Sequence, residues 1–382
     1  MSYSIFQSPV KIIYGVGSII SVGKEAVGYG KKIMIVTGRN SSKRTGALQK
    51  VVESLKENKL EVLIFDEVES DPSVKTVRIG AEKAKAEGID TIVALGGGSA
   101  LDAAKGISAM CTNSGDITDY EKNPLDKLGL PIIAIPTTAG TGSEISKFTV
   151  ITDTDRKIKM LIGGEAIIPK VAILDPCLTV MMPKHVTAAT GMDALTHAIE
   201  AYISKVSQPM TEIYAIKAIE LISENLPKAV LDGENIKARE NMLIGQMYAG
   251  FAFSNASVAL VHAMARPLGA YFDVEHGLAN ALLLPMVMEF NRPACKEKLV
   301  KVAVAMGENV EGLSTNDGSY LAIEAIKNLF LETGLPKSLR EVGVLKESIK
   351  ELAEDAIVSG SVLFNPRKPS LQEIINIYEK IY

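Results

Sequence analysis

Thr91–Gly106 reads TIVALGGGSALDAAKG, and this stretch decides the fold. An apolar run passes into three consecutive glycines, after which Ser99 opens a helical pattern carrying Asp102. Glycines let a backbone come close to a phosphate, and the free N–H groups at a helix start attract the anion. The spacing matches neither GxGxxG nor a Walker A loop. A plain strand-to-helix turn needs fewer glycines, so the stretch reads as a phosphate-binding turn.

Outward from it, residues 32–37, 60–65, 132–135 and 171–174 repeat the strand pattern, most without polar alternation. They alternate with helical patterns over 74–87 and 100–110, which predicts a mostly parallel, doubly wound sheet covered on both faces. After Pro183 the strand-like runs stop. Helical patterns follow over 188–203, 210–224, 236–264, 278–289, 296–306, 319–332 and 345–356. Pro183, Pro227, Pro267, Pro293, Pro336 and Pro366 are read as their punctuation. The expected organisation is an α/β dinucleotide-binding domain over 1–180 and an all-helical domain over 181–382. A chain of 382 residues suits two cores.

Composition narrows the function. Lys and Arg number 41 against 45 Asp and Glu, for a net charge of −4 with no basic run. That leaves no surplus to neutralise a nucleic-acid backbone. Aromatics are only 5% with no Trp, which argues against a stacking platform for single strands. Cys111, Cys177 and Cys295 lie far apart without CxxC spacing, so neither a disulfide framework nor a thiolate zinc site is expected. The opening residues, with Pro9 and Lys11, lack the long apolar core of a signal peptide. Asn241–Ala265 carries no charge, yet Gln246, Ser254, Asn255, Ser257 and His262 would be costly in hydrocarbon. A cytoplasmic protein with neither nucleic-acid nor membrane partners is expected.

Two further loops extend the first. Ile132–Glu144, IIAIPTTAGTGSE, is again an apolar strand ending in a small, hydroxyl-rich turn. Its Thr137, Thr138, Thr141 and Ser143 can offer hydroxyls to phosphate or ribose, and loops at successive strand ends converge on one crevice. Val36–Gly46, VTGRNSSKRTG, places Gly38 where folds that hold NAD usually carry an acidic side chain. Arg39, Ser41, Ser42 and Lys43 follow, donors suited to a 2′-phosphate with no carboxylate to repel it. This favours NADP(H); the alternative is a solvated basic loop.

The helical half holds all four histidines: His185, His197, His262 and His276. In Thr190–Tyr202, TGMDALTHAIEAY, Asp193 and His197 are four apart and share a helical face. His262, in VALVHAMARPLG, is read as ending the long uncharged helix, and His276 as opening the next beyond a Pro267/Gly269 break. One carboxylate and three imidazoles make a mixed O/N site for Fe(II) or Zn(II). Buried, hydrogen-bonded histidines are the competing reading. His185 reads as a surface or inter-domain residue.

GGGSALDAAKG, PTTAGTGSE, GMDALTHAIEAY and HGLAN, in this order, resemble the iron-containing (group III) alcohol dehydrogenase family over essentially the whole chain, closest to its bacterial butanol and 1,3-propanediol branch. The resemblance implies an active site in a cleft between the two domains, with Asp193, His197, His262 and His276 as metal ligands. It implies that Gly97, Gly98, Ser99 and Asp102 hold the pyrophosphate and nicotinamide side of the cofactor. Thr137, Thr138, Thr141 and Ser143 form the second cofactor loop, and Lys159 lies near the ribose. Gly38 falls where NAD-preferring relatives carry Asp. Phe148, Phe253 and Val258 are implied to line an apolar substrate pocket.

Arg266 departs from the pattern, standing where many members carry a second histidine four residues after the third ligand. Arginine stays protonated and is no general acid or base; it either attracts an anionic group or caps its helix. The activity implied is reversible oxidation of a short-chain primary alcohol to an aldehyde with Fe(II), or Zn(II), and NAD(P). A homodimer or larger homo-oligomer is implied, with residues 4–14 as an edge. Two rivals remain. A dehydroquinate-synthase-like lyase or cyclase needs several basic side chains near the ligands, where only Arg266 is visible. A non-catalytic nucleotide-binding protein has no need of four intact ligands.

Overall fold

A computed structural model describes residues 4–8, 11–156 and 158–382. The chain divides into two compact units, Ser8–Met181 and Met182–Tyr382, and residues 4–7 belong to the second.

The first unit is built from β1 (Lys11–Tyr14), β2 (Lys32–Gly38), α1 (Ala47–Glu57), β3 (Glu61–Val68), α2 (Val74–Glu87), β4 (Thr91–Gly96), α3 (Gly98–Thr112), β5 (Ile132–Pro136), β6 (Phe148–Asp153), β7 (Ile158–Gly163) and β8 (Val171–Leu174). Six strands form one sheet in the order β1-β8-β5-β4-β2-β3, every pair parallel. Ile33 and Ile35 of β2 pack on one face with Val51 and Leu55 of α1. Met34 and Val36 pack on the other with Val77 of α2 and Ile107 of α3. Side chains alternate between two buried layers, which is why the strands show no polar alternation. β2 feeds a helix on one face and its neighbour β4 feeds a helix on the other. The strand order reverses there, and open α/β sheets bind ligands outside the strand ends at such a point. Gly38 and Gly96 end those two strands.

β3 extends past the expected 60–65 run, with a register shift opposite Val36 and Gly38. β6 and β7 form an antiparallel hairpin of their own, which the sequence reading did not anticipate. The available signal was the β-branched and aromatic run FTVIT, but its buried side is Thr149, Ile151 and Asp153, so no apolar alternation marks the strand. The expected edge over 4–14 is split between the units, and residues 9 and 10 lie outside those described. The ring of Phe6 stacks on Tyr214 at 5.5 Å, and the Gln7 backbone exchanges hydrogen bonds with the Asn255 side chain, which is why this stretch leaves the first unit.

The second unit contains α4 (Lys184–Ile203), α5 (Pro209–Leu231), α6 (Ile236–Ala256), α7 (Leu260–Phe272), α8 (His276–Ala305), α9 (Thr315–Glu332), α10 (Ile349–Ile357) and α11 (Leu371–Lys380). The single helix expected over 236–264 is two helices. Ser257, at φ 62°, breaks the run, so His262 lies in the first turn of α7 and does not end a helix. No glycine or proline marks the break. Conversely, Pro227, Pro267 and Pro293 lie inside α5, α7 and α8 and do not end them; α8 bends at Cys295 instead. Buried packing outweighs the lost backbone bond at Pro267. α11 was missed, although its Ser370/Glu373 capping box is legible as SxxE. No helix among the described residues is long and apolar enough to cross a membrane.

Candidate metal centre and cofactor turn

α4 presents Asp193 and, one turn on, His197; α7 presents His262 and α8 opens on His276. One donor atom from each of Asp193, His262 and His276 lies within 4.8 Å of the others. Nε2 of His262 is 3.9 Å and Nε2 of His276 3.8 Å from Asp193 Oδ1. His197 stands beside this trio without joining it as closely. Its ring centroid is 4.5 Å from His262 and 4.4 Å from Phe253, and its Nδ1 is 3.9 Å from Asp193 Oδ2. That Nδ1 is buried with no hydrogen-bond partner among the described residues. An unsatisfied buried polar atom costs about 1–3 kcal/mol, and a cation beside the carboxylate would satisfy it.

Asn280, one turn after His276, marks where the positive charge belongs. Its Nδ2 donates to Asp193 Oδ1 at 2.6 Å and lies 3.3 Å from His262 Nε2 and 3.2 Å from His276 Nε2. One carboxylate oxygen and two ring nitrogens gather around a single amide nitrogen, as ligands gather around an ion. A carboxylate with three imidazoles fits Fe(II) or Zn(II), so the residues present suit the metal.

Glu200, two turns beyond Asp193 on α4, is fully buried. Its Oε2 lies 2.7 Å from His262 Nδ1. Its carboxylate also accepts the backbone N–H groups of Ala259, Val261 and His262, holding the start of α7. Burial pushes Glu200 up to about 7, with those N–H groups pulling the other way. Burial also drives His262 well below the usual imidazole range, and His197 and Arg266 act in the same direction. A neutral ring is what a metal ligand requires. Sequence reading missed both Glu200 and Asn280, although they lie inside the quoted motifs GMDALTHAIEAY and HGLAN. Only their tertiary contacts distinguish them.

Arg266 sits one turn after His262, inside α7, so it does not cap that helix. Its Nη1 donates to Ser359 Oγ at 3.2 Å, and burial lowers its pKa. His185 is exposed near the start of α4.

In the first unit the two glycine-rich loops touch. A Cβ added at Gly97 would lie 3.2 Å from Thr138 Cγ2, and one at Gly98 only 2.7 Å from Thr141 Cγ2. Thr137 N–H donates to the Gly96 carbonyl at 2.9 Å, and Gly96 takes φ 150°, which favours glycine. Asp102 and Ser143 use their polar atoms on each other. Ser143 Oγ donates to Asp102 Oδ1 at 2.6 Å and Val150 N–H donates to Oδ2 at 3.0 Å, pinning α3 to the second loop and β6. Burial raises the Asp102 pKa, opposed first by Lys105. Buried Lys105 donates to the carbonyls of Ser146 and Phe148, and burial pushes it down to about 8. Lys159 pairs with Asp71 at 2.9 Å, and Asp71 N–H donates to Ser99 Oγ at 3.3 Å. That contact brings Lys159 beside the glycine turn through a residue the sequence did not flag.

The loop after β2 differs from expectation in one respect. Lys43 forms an ion pair with Asp66 of β3, so it is not a free donor and a carboxylate does stand nearby. Ser42 is buried against Thr37 Oγ1 at 2.7 Å, while Ser41 and Arg39 are exposed. Phe148 lies on β6 in the first unit. Phe253 and Val258 lie in the second, Phe253 stacked on His197.

The model described as "Iron-containing alcohol dehydrogenase" matches residues 9–176, and that described as "Fe-containing alcohol dehydrogenase family, C-terminal" matches 187–382. A 1,3-propanediol dehydrogenase of Citrobacter freundii is 43% identical, with 100% of both chains covered. An NAD-dependent methanol dehydrogenase of Bacillus methanolicus is 40% identical over 98% of each. A crystal structure of a 1,3-propanediol oxidoreductase superposes over 100% of both chains with TM-score 0.97 at 42% identity. Glycine turn, converging donors and full-length similarity agree: the chain belongs to the iron-containing alcohol dehydrogenase family and is an NAD(P)-using oxidoreductase of that type.

Proposed function

We propose that the enzyme interconverts short-chain primary alcohols and aldehydes, with Fe(II) held by Asp193, His197, His262 and His276 and NADP(H) preferred over NAD(H). Zn(II) fits the same donors. The observation that carries this reading is the convergence of Asp193, His262 and His276 on the Asn280 amide. When bound, the ion polarises the substrate oxygen and the nicotinamide carries the hydride.

The chain's own residues prepare that chemistry. Asp193 contributes the negative charge of the donor set, and Glu200 keeps the His262 ring in place. Gly97 and Gly98 let the backbone approach the pyrophosphate, while Thr138 and Thr141 close the turn from the second loop. Asp102 and Ser143 hold the two loops in register, and Lys159 reaches the ribose side. Phe253, stacked on His197, and Val258 are assigned to the apolar lining beside the metal ligands, and Phe148 is assigned to the substrate on the resemblance alone. Arg266 stays charged and relays no proton. An apolar pocket separates neighbouring chain lengths by only about 1–3 kcal/mol, which favours broad specificity. Relatives named for 1,3-propanediol and methanol support a small alcohol.

The cofactor preference rests on Gly38, with Arg39 and Ser41 as remaining donors. Ordinary space surrounds a Cβ there, the nearest atom being the Val68 carbonyl oxygen at 3.7 Å, so a side chain can start at this position without a clash. Iron-reconstituted enzyme, followed by nicotinamide absorbance with a panel of short aldehydes, is expected to show higher kcat/KM with NADPH than NADH. Gly38→Asp is expected to shift the NADPH/NADH ratio about 10- to 100-fold towards NADH by repelling the 2′-phosphate. A wild type that prefers NADH, or a strict preference for a sugar aldehyde, would overturn the proposal. We further assign it to the cytoplasm, in keeping with its three free cysteines. A homodimer or larger homo-oligomer is favoured by the edge position of β1.

A further inference from the structure

We infer that Glu200 is a positioning residue of the metal centre, fixing which nitrogen of His262 faces the ion; this rests on the metal-centre reading above. α7 has no side-chain cap of its own, since Ala259 occupies the N-cap position. The missing acceptor comes from α4. Glu200 Oε1 accepts Val261 N–H at 2.6 Å, and Oε2 accepts Ala259 N–H at 2.8 Å and His262 N–H at 3.4 Å. A negative side chain at a helix start is favourable.

Three backbone N–H groups on the two carboxylate oxygens favour the ionised, accepting form of Glu200, and against that form the ring nitrogen 2.7 Å from Oε2 is the donor. That places the His262 ring proton on Nδ1 and leaves the Nε2 lone pair towards Asp193 Oδ1 and the Asn280 amide. One buried carboxylate thus starts the helix and sets the tautomer of a ligand within its first turn. Because α4 also carries Asp193 and His197, ligands and clamp share one rigid element.

Glutamine has the same shape but only one acceptor oxygen. Set against Val261, its oxygen leaves an NH2 facing both the Ala259 N–H and His262 Nδ1, which forces the ring proton to Nε2, where it blocks ligation. Set the other way, the oxygen keeps the proton on Nδ1, but the NH2 meets the Val261 N–H and the start of α7, His262 with it, is no longer held. A purely structural role would cost stability in either case without touching ring chemistry or metal affinity.

The test uses the full chain, histidine-labelled for ring-nitrogen NMR and free of metal, with zinc affinity read by competition against a chromophoric chelator. With only four histidines the signals are assignable by single replacements. Wild type is expected to show His262 protonated on Nδ1. E200Q is expected to bind zinc about 10- to 100-fold more weakly, whichever way its amide is set. Wild-type His262 protonated on Nε2 would overturn the inference, and this measurement needs no variant to fold. E200Q that binds zinc like wild type would overturn it too, while leaving the metal centre standing. Wild type that binds no zinc would overturn the metal-centre reading and this inference together.

Discussion

Asp193→Ala is expected to abolish stoichiometric metal binding and to lower kcat/KM about 1000-fold or more, roughly 4 kcal/mol of transition-state stabilisation. Asp193 is the carboxylate of the donor set, and its Oδ1 is the atom on which His262 Nε2, His276 Nε2 and the Asn280 amide converge. Three neutral imidazoles would be left to hold a dication with no compensating charge. The fold is expected to survive. Asp193 is 2% exposed, and without an ion its removal costs mainly the Asn280 hydrogen bond, about 1–3 kcal/mol. Metal analysis of the purified variant, beside its circular dichroism and turnover, checks both halves. A folded variant with a full complement of iron would contradict the role assigned to Asp193.

Gly277→Ala should be the most damaging single-methyl change near the centre. A Cβ there would lie 2.4 Å from the carbonyl oxygen of Ala189 and 2.8 Å from its carbonyl carbon. These are backbone atoms of α4, one turn before Asp193, so no side chain can swing aside to make room. The start of α8 must move away, carrying His276 from Asp193. Overpacking of this kind costs about 1–3 kcal/mol or more, and a ligand displaced by about an ångström loses much of its contribution. The expected result is a lower denaturant midpoint together with zinc affinity reduced at least about 10-fold. Gly360→Ala is the control, since none of the described residues comes within 4 Å of a Cβ there. Wild-type stability and affinity in Gly277→Ala would show that the close approach of α4 and α8 does not set the site.

What was legible in the sequence follows from what is local. The sheet could be read because Ile33, Met34, Ile35 and Val36 are all buried, two on each face, so pattern and environment coincide. The glycine turn could be read because Gly96 needs a conformation that side chains resist. The Asp193/His197 pair followed from helical spacing, and the other two histidines from their scarcity. What escaped depends on groups distant in the chain. The α6/α7 break has no local breaker, because its cap is the Glu200 carboxylate from α4. Lys43 looked free because Asp66 is on another strand, and Lys159 reaches the glycine turn only through Asp71. Pro227, Pro267 and Pro293 looked like helix ends, yet each sits within a helix whose packing outweighs the local penalty. Asn280 resembles any small polar residue on a helix, and only the gathering of Asp193, His262 and His276 around its amide sets it apart.

X-ray absorption at the iron edge of anaerobically reconstituted protein tests the arrangement at its centre. Four side chains from α4, α7 and α8 should give one iron per chain with only nitrogen and oxygen neighbours and the outer-shell scattering of three imidazoles. An iron spectrum with fewer imidazoles, with sulfur neighbours, or of an ion bound well below one per chain would mean that Asp193, His197, His262 and His276 do not share a cation.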